Sequence, residues 1–333
     1  MIQVENLVKK YGSHTAVDQL SFTVEKGQIY GFLGPNGAGK STTMNIMTGY
    51  IAANSGTVTI NGYDILKDPG KAKQCIGYLP EIPPLYTDMT VQEYLLFVAE
   101  LKKVPKKERA EHVAEIMGMA QIVDVKGRLI KNISKGYKQR VGLAQALISN
   151  PEVLILDEPM VGLDPKQIIE MRDLIKKLSK DRTIILSSHI LSEVSAVCDH
   201  ILIISNGKLA ASGSPQELQE MMRTSTELEV TVLGTKEHAE KILREIDGIE
   251  SYEIEPAKEA DAVMIRVRTA GDEDMRKGLS IALSKEGMPI LSMNRIEKSL
   301  EDIFLKLTES EDGETENSDA AEEKEGSDDG SDL

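Results

Sequence analysis

Gly31-Phe32-Leu33-Gly34-Pro35-Asn36-Gly37-Ala38-Gly39-Lys40-Ser41-Thr42 is the stretch on which the reading of this chain turns. It opens at the end of an apolar run, Gln28-Ile29-Tyr30-Gly31-Phe32-Leu33, which reads as a short buried strand. It closes in Ser41-Thr42-Thr43-Met44-Asn45-Ile46-Met47, a run compatible with a helix. Between them, Gly34 and Gly39-Lys40-Ser41 have the spacing of a phosphate-binding P-loop, in the strand–loop–helix setting which that pattern needs. Glycines here let main-chain N–H groups turn inward around a phosphate chain, where side chains would block them. The helix beginning near Lys40 aims its positive end at the same phosphates. Lys40 is expected to reach the β- and γ-phosphates of a nucleotide, and the Ser41 hydroxyl to bind Mg²⁺. A glycine turn that bound nothing would not need Lys40 and Ser41 in register.

Further along, Val153-Leu154-Ile155-Leu156-Asp157-Glu158 reads as a buried parallel strand with two carboxylates at its C-terminal edge. Ligands collect at that edge in open α/β sheets. Asp157 matches the Walker-B acid that holds Mg²⁺, and Glu158 is placed to polarise an attacking water. Thr183-Ile184-Ile185-Leu186-Ser187 is the next buried strand, and His189 follows its C-terminal end. Ser134 sits where a helix N-cap belongs, before the helical run from Val141 to Ile148, so free N–H groups there would face outward. By itself that is an ordinary solvated cap. Gly162-Leu163-Asp164-Pro165 opens another helix, with Asp164 at N-cap and Pro165 at N1.

The formal net charge of −15 is unevenly spread. Residues 309–333 hold 12 acids and one base, a net of −11, which leaves −4 for residues 1–308. The body is therefore near neutral, without the basic stripe that nucleic-acid binding requires. Cys75 and Cys198 have no metal spacing and suit free thiols in a reducing cytosol. Met1-Ile2-Gln3-Val4-Glu5 lacks the features of a signal peptide, and no apolar run approaches the roughly 18 residues of a membrane span.

Residues 2–30 alternate apolar and polar around turns, as short antiparallel strands do. Gly56–Gly62 reads as a strand closing in an Asn-Gly turn, and Ile76–Glu81 as a strand running into a Pro83-Pro84 loop. From Thr90 to Lys103, Val91, Tyr94, Leu95, Val98 and Leu101 share a helical face, and a second helix is expected over Lys106–Met119. Together these form a helical insert over about 83–150, inside a domain that ends near 220. Residues 226–308 have the order β-α-β-β-α-β of a ferredoxin-like unit, with an amphipathic helix at about Leu300–Leu307. The 309–333 tail is too charged and too poor in apolar residues to fold.

With these motifs in this order, residues 2–220 resemble the ATP-binding subunit of an ABC transporter. The Ser-Lys-Gly-Tyr-Lys-Gln-Arg run at Ser134–Arg140 and the Leu79-Pro80-Glu81 loop resemble the ABC-2-type exporter subgroup, including gliding-motility-associated and multidrug-type ATPases. The resemblance implies an α/β fold: a P-loop NTPase core with an antiparallel β-subdomain and helical insert, then the ferredoxin-like accessory domain and the disordered acidic tail. It implies ATP binding by Tyr11 (stacked on adenine), Gly34, Pro35, Asn36, Gly37, Ala38, Gly39, Lys40, Ser41 and Thr42. It implies Mg²⁺ on Ser41 and Asp157, catalysis by Glu158 with the switch histidine His189, and Asp164 in the D-loop. Ser134, Lys135, Gly136 and Tyr137 would serve as the signature that completes the opposite subunit's site. Two positions depart from the family pattern. Ile133-Ser134-Lys135-Gly136-Tyr137 replaces the usual Leu-Ser-Gly-Gly-Gln but keeps Ser134 and Gly136. Glu81 stands at the Q-loop glutamine, where a carboxylate would still bind metal but adds negative charge beside the phosphates.

The implied partners are a transmembrane permease and a second ATPase chain, in a homodimer or heterodimer, with no nucleic acid. The implied location is cytoplasmic, peripheral on the membrane through the permease. The competing reading is a soluble ABC ATPase acting on ribosomes or DNA. Such proteins join two P-loop halves or insert a long coiled coil, and this chain has one P-loop. A regulatory module without hydrolysis is a third reading, opposed by intact Lys40, Asp157 and Glu158.

Overall fold

Alternating burial shapes the start of the chain: β1 (Ile2–Tyr11) and β2 (His14–Val24) pair antiparallel across Gly12-Ser13. This is a computed structural model, and it describes residues 1–221, 225–270 and 274–296. β3 (Ile29–Leu33), with all five residues buried, leads through the phosphate loop into α1 (Lys40–Met47). β4 (Ser55–Ile60) returns to pair with β1. It then folds back on β5 (Tyr63–Asp64) through Asn61 and Gly62, at φ 49° and 83°. Two successive left-handed residues are what a tight type I′ hairpin turn demands. α2 (Pro69–Gln74), a short helix that the sequence reading did not anticipate, precedes β6 (Ile76–Leu79).

The insert follows as α3 (Val91–Leu101), α4 (Arg109–Met119) and α5 (Lys135–Leu147). Thr90 and Glu93 form a reciprocal capping box that starts α3. Val91, Tyr94, Leu95 and Val98 are buried as their spacing predicts, whereas Leu101, the last residue of the helix, is 63 % exposed. α4 starts three residues later than expected. The Pro105 carbonyl accepts from the N–H groups of Glu108 and Arg109, so 106–108 form a turn first.

The remaining core elements are β7 (Val153–Leu156), α6 (Pro165–Leu178), β8 (Thr183–Ser188), α7 (Leu191–Ser195), β9 (His200–Ser205) and β10 (Lys208–Gly213), after which α8 (Pro215–Met221) leaves the core. They complete a six-stranded sheet ordered β10-β9-β3-β8-β7-β6, parallel except for β10. β3, β7 and β8 are buried along their whole length, as strands covered on both faces must be. A separate four-stranded antiparallel sheet, β2-β1-β4-β5, packs on this one. Their shared core includes Phe22 of β2 edge-on to Phe32 of β3, ring centroids 5.0 Å apart. Such a pair contributes about 0.5–1.5 kcal/mol beyond its buried area.

Contacts divide the chain into two units, Met1–Pro215 and a second beginning at Gln216. In the second, β11 (Ser225–Leu233), α9 (Lys236–Arg244), β12 (Ile249–Pro256), β13 (Ala262–Ala270), α10 (Arg276–Lys285) and β14 (Ile290–Ile296) follow in turn. Its sheet is antiparallel, ordered β12-β13-β11-β14, and Leu228, Val230, Ile265, Leu243 and Leu279 fill the core beneath it. The helix expected at 300–307 and the tail at 309–333 lie outside the described residues. Among the described residues, no helix is long and apolar enough to cross a membrane.

Candidate functional site

Register brings the chemistry to one sheet edge. Leu33 of β3 pairs with Ser188 of β8, and Leu156 of β7 with Leu186 of β8. The segments that follow these strands therefore leave the sheet side by side, at its carboxyl edge. The loop after β3 needs its glycines. Gly37 and Gly39 have φ of +86° and +99°, and a Cβ on Gly39 would lie 2.4 Å from the Ala16 carbonyl oxygen. A Cβ on Gly34 would lie 2.4 Å from the Ile204 carbonyl.

Lys40 is 6 % exposed and folded into this loop. Its Nζ donates to the carbonyls of Gly34 (2.7 Å) and Pro35 (3.0 Å). Burial lowers the ammonium pKa below the ordinary lysine value, against the opposing pull of Glu158, Asp157 and Glu81. Three negative groups thus lie within electrostatic reach of one buried cation.

Asp157 and Ser187, next in line after the paired Leu156 and Leu186, meet directly. Ser187 Oγ donates to Asp157 Oδ1 at 2.6 Å and accepts from the Glu158 N–H at 2.8 Å. Ser41 Oγ donates to the same Asp157 oxygen at 3.3 Å. Glu158 turns out of the strand at φ +47°, and both its carboxylate oxygens lie 3.1 Å from His189 Nδ1. A carboxylate only accepts, so Nδ1 carries the proton and Nε2 is left available. The turn bearing His189 is pinned in its own right. Ser188 Oγ accepts from the Ile190 N–H at 3.1 Å and donates to buried Glu193 at 2.8 Å.

Of the residues singled out by sequence, Asn36, Gly37, Gly39, Lys40, Ser41, Thr42, Glu81, Glu158 and His189 line a single cleft of ≈ 240 Å³. Gly34, Pro35 and Ala38 build the loop beneath it, where Ala38 N–H donates to Pro35 O. Asp157, 4 % exposed, lies behind Ser41. Tyr11 is not among the cleft residues. It ends β1, half exposed, with the Lys9 ammonium 5.2 Å from its ring centroid.

The signature segment lies elsewhere in the same chain. Ser134 caps α5, accepting from the Tyr137 N–H, and Asp164 caps α6, accepting from the Gln167 N–H at 2.9 Å. Gly136, Tyr137 and Asp164 line a second cleft of ≈ 380 Å³, which shares no residue with the first. Lys135 turns away from it, toward a third cleft that it lines with Glu81. Its Nζ rests over Gly162, where a Cβ would lie 2.1 Å away.

Ser187 and Glu193 escaped the sequence reading. The only available signal for Ser187 was its place at a strand end, and that becomes informative only once β7 and β8 are known to be neighbours.

The family model described as "ABC transporter" matches residues 17–161. Over 312 residues the chain is 34% identical to the linearmycin resistance ATP-binding protein LnrL of Bacillus subtilis, covering 92% of this chain and 98% of that protein. It is 38% identical over 309 residues to the bacitracin transport ATP-binding protein BcrA of Bacillus licheniformis, covering 92% and 97%. Among solved structures, the ADP conformation of MJ1267, an ATP-binding cassette of an ABC transporter, superposes with a TM-score of 0.60 at 30% identity. That match covers 65% of this chain and 92% of the other.

Proposed function

Because the chain belongs to the ATP-binding proteins of ABC transporters, we propose that it is the ATPase subunit of an ABC-2-type exporter, driving a separate permease. The observation that carries the reading is the division of the site. The P-loop, Glu158 and His189 share one cleft, while Gly136 and Tyr137 of the signature line another. One chain therefore holds two complementary halves, and head-to-tail pairing of two chains would assemble two complete ATP sites.

In each site the loop N–H groups and the start of α1 would hold the phosphates. Lys40 would exchange the Gly34 and Pro35 carbonyls for β- and γ-phosphate oxygens. The donor set suits Mg²⁺. Ser41 and Asp157 are hard oxygen ligands already in contact, and the ion takes one or two such groups plus substrate phosphates. Among the described residues no cluster of three or more His, Cys, Asp or Glu is built to hold a metal alone. When bound, the ion would neutralise charge developing on the phosphates. Glu158 takes a proton from water as its oxygen attacks the γ-phosphorus. The bond to the β–γ bridging oxygen breaks, and ADP and phosphate form. His189 fixes the Glu158 carboxylate through Nδ1 and lines the same cleft. Tyr11 would stack on adenine from the end of β1.

We read 226–308 as a ferredoxin-like accessory domain, on the order of its described strands and helices. The location that fits is the cytoplasmic membrane face, held there by the permease. The roles for which the relatives are named, linearmycin resistance and bacitracin transport, support transport over action on ribosomes or DNA.

The test mixes two inactive variants. Lys40→Ala loses phosphate binding, and Ser134→Arg blocks the signature. In a mixed dimer both defects fall in one site and the other is intact, so ATP-dependent association and turnover return. Absence of both, with subunit exchange verified, would sink the shared-site model. Co-purification with a polytopic membrane protein from detergent-solubilised membranes tests the permease.

A further inference from the structure

Arg140 lies one turn into α5 beyond the signature and takes no part in the chemistry above. Its side chain is 8 % exposed, yet it holds two separate parts of the chain. Nη1 donates to Gln121 Oε1 at 2.7 Å, and Nη2 donates to Glu170 Oε2 at 2.5 Å. Gln121 follows α4 at φ +58°, a left-handed conformation uncommon for a residue with a Cβ. Glu170 is in the second turn of α6, the helix that Asp164 caps.

A parallel tether runs from Tyr137, whose hydroxyl donates to Asp124 Oδ2 at 2.5 Å. Tyr137 and Arg140 are three residues apart and so share a face of α5. The start of α5 is thus held to the 121–124 turn on one side and to α6 on the other. The second side is tightly fitted, since a Cβ on Gly136 would lie 2.6 Å from Gln167 Oε1.

We propose that Arg140 is a positioning residue for ATP hydrolysis in the opposite subunit's site: it fixes the rotation of α5, and with it the direction of Ser134 and Gly136. This rests on the shared-site reading above. The anion-attracting field of a helix start acts only within its first turn, so a small rotation of α5 moves the donors off their target. Misplacement by 1 Å of a group remote from the reacting atoms costs about 10²-fold in rate. A planar guanidinium can serve two acceptors lying in different directions with fixed geometry, and a lysine ammonium cannot hold that geometry.

The experiment uses full-length mixed dimers isolated through two affinity tags. In one arrangement Lys40→Ala is on one chain and Arg140→Lys on the other, so both defects share a site and the second site is whole. In the other, both substitutions are on the same chain beside an unaltered partner, so each site has one defect. Turnover in the first arrangement should exceed that in the second by about tenfold or more, within the 10²-fold range of a misplaced group. Ser134→Arg in place of Arg140→Lys supplies the reference pair. If the reference arrangements differ and the Arg140→Lys arrangements do not, Arg140 acts only on folding and the proposal falls alone. If neither pair differs, the shared-site reading falls and takes the proposal with it. Glu170→Gln keeps an acceptor without the charge, and it is the variant that decides if thermal unfolding shows Arg140→Lys to be unfolded at the assay temperature. It should show the same asymmetry with a smaller loss, and equal turnover in its two arrangements would overturn the proposal.

Discussion

Glu158→Gln isolates the base from everything else that Glu158 does. The amide has the size of the carboxylate and keeps an oxygen acceptor for His189 Nδ1, which now meets both oxygens at 3.1 Å. The main-chain bond from Glu158 N–H to Ser187 Oγ, 2.8 Å, is untouched by the change. Basicity is lost, together with one of the three negative charges that act on Lys40. Positioned general bases contribute about 10²–10⁴-fold, or about 3–5 kcal/mol at 1.36 kcal/mol per tenfold. Nucleotide binding should survive, because Lys40, Ser41 and the loop N–H groups do not depend on the carboxylate for their geometry. Steady-state phosphate release gives the turnover, and light scattering with and without ATP gives the association state. The expected result is turnover down by two to four powers of ten, with the ATP-bound dimer persisting. Turnover within about tenfold of the unaltered chain, below the least that a general base supplies, would remove Glu158 from that role.

Asp157→Asn should raise the Mg²⁺ concentration for half-maximal turnover by at least about 10–100-fold, the range seen even for groups that merely support a metal ligand. A magnesium titration checks it, with nucleotide binding in EDTA retained. Gly39→Ala places a Cβ at φ +99°, 2.4 Å from a carbonyl oxygen. It should cost about 1–3 kcal/mol in thermal unfolding and abolish ATP binding as the loop shifts. Tyr11→Ala should weaken ATP binding by about 1–3 kcal/mol, the worth of a base–aromatic stack, while Tyr11→Phe leaves it unchanged in a fluorescent-nucleotide titration.

The local chemistry of the site was legible because each part announces itself over a few residues. The Gly34–Ser41 spacing, the acids ending a continuous apolar strand, and Asp164-Pro165 opening a helix are all short-range patterns. What could not be read was adjacency. Ser41 and Asp157 touch across 116 positions, and Arg140 reaches Glu170 across 30. Such contacts depend on strand order, and nothing local says that β3 lies between β8 and β9. Helix limits slipped for a different reason. Between Pro105 and Arg109 the charged residues favour helix by propensity, but the carbonyl of Pro105 closes a turn first. The short α2 has too few residues to show a period.

The left-handed backbone at Glu158, φ +47°, puts the two demands on this protein in opposition at one residue. A side chain with a Cβ in that conformation gives up about 1–2 kcal/mol of folding free energy, which glycine would recover in part. Replacing Glu158 with glycine should therefore leave the melting temperature unchanged or raise it while turnover disappears. A library of variants ranked only by heat resistance would favour the substitution that silences the enzyme. Here durability and activity cannot be improved by the same choice of amino acid.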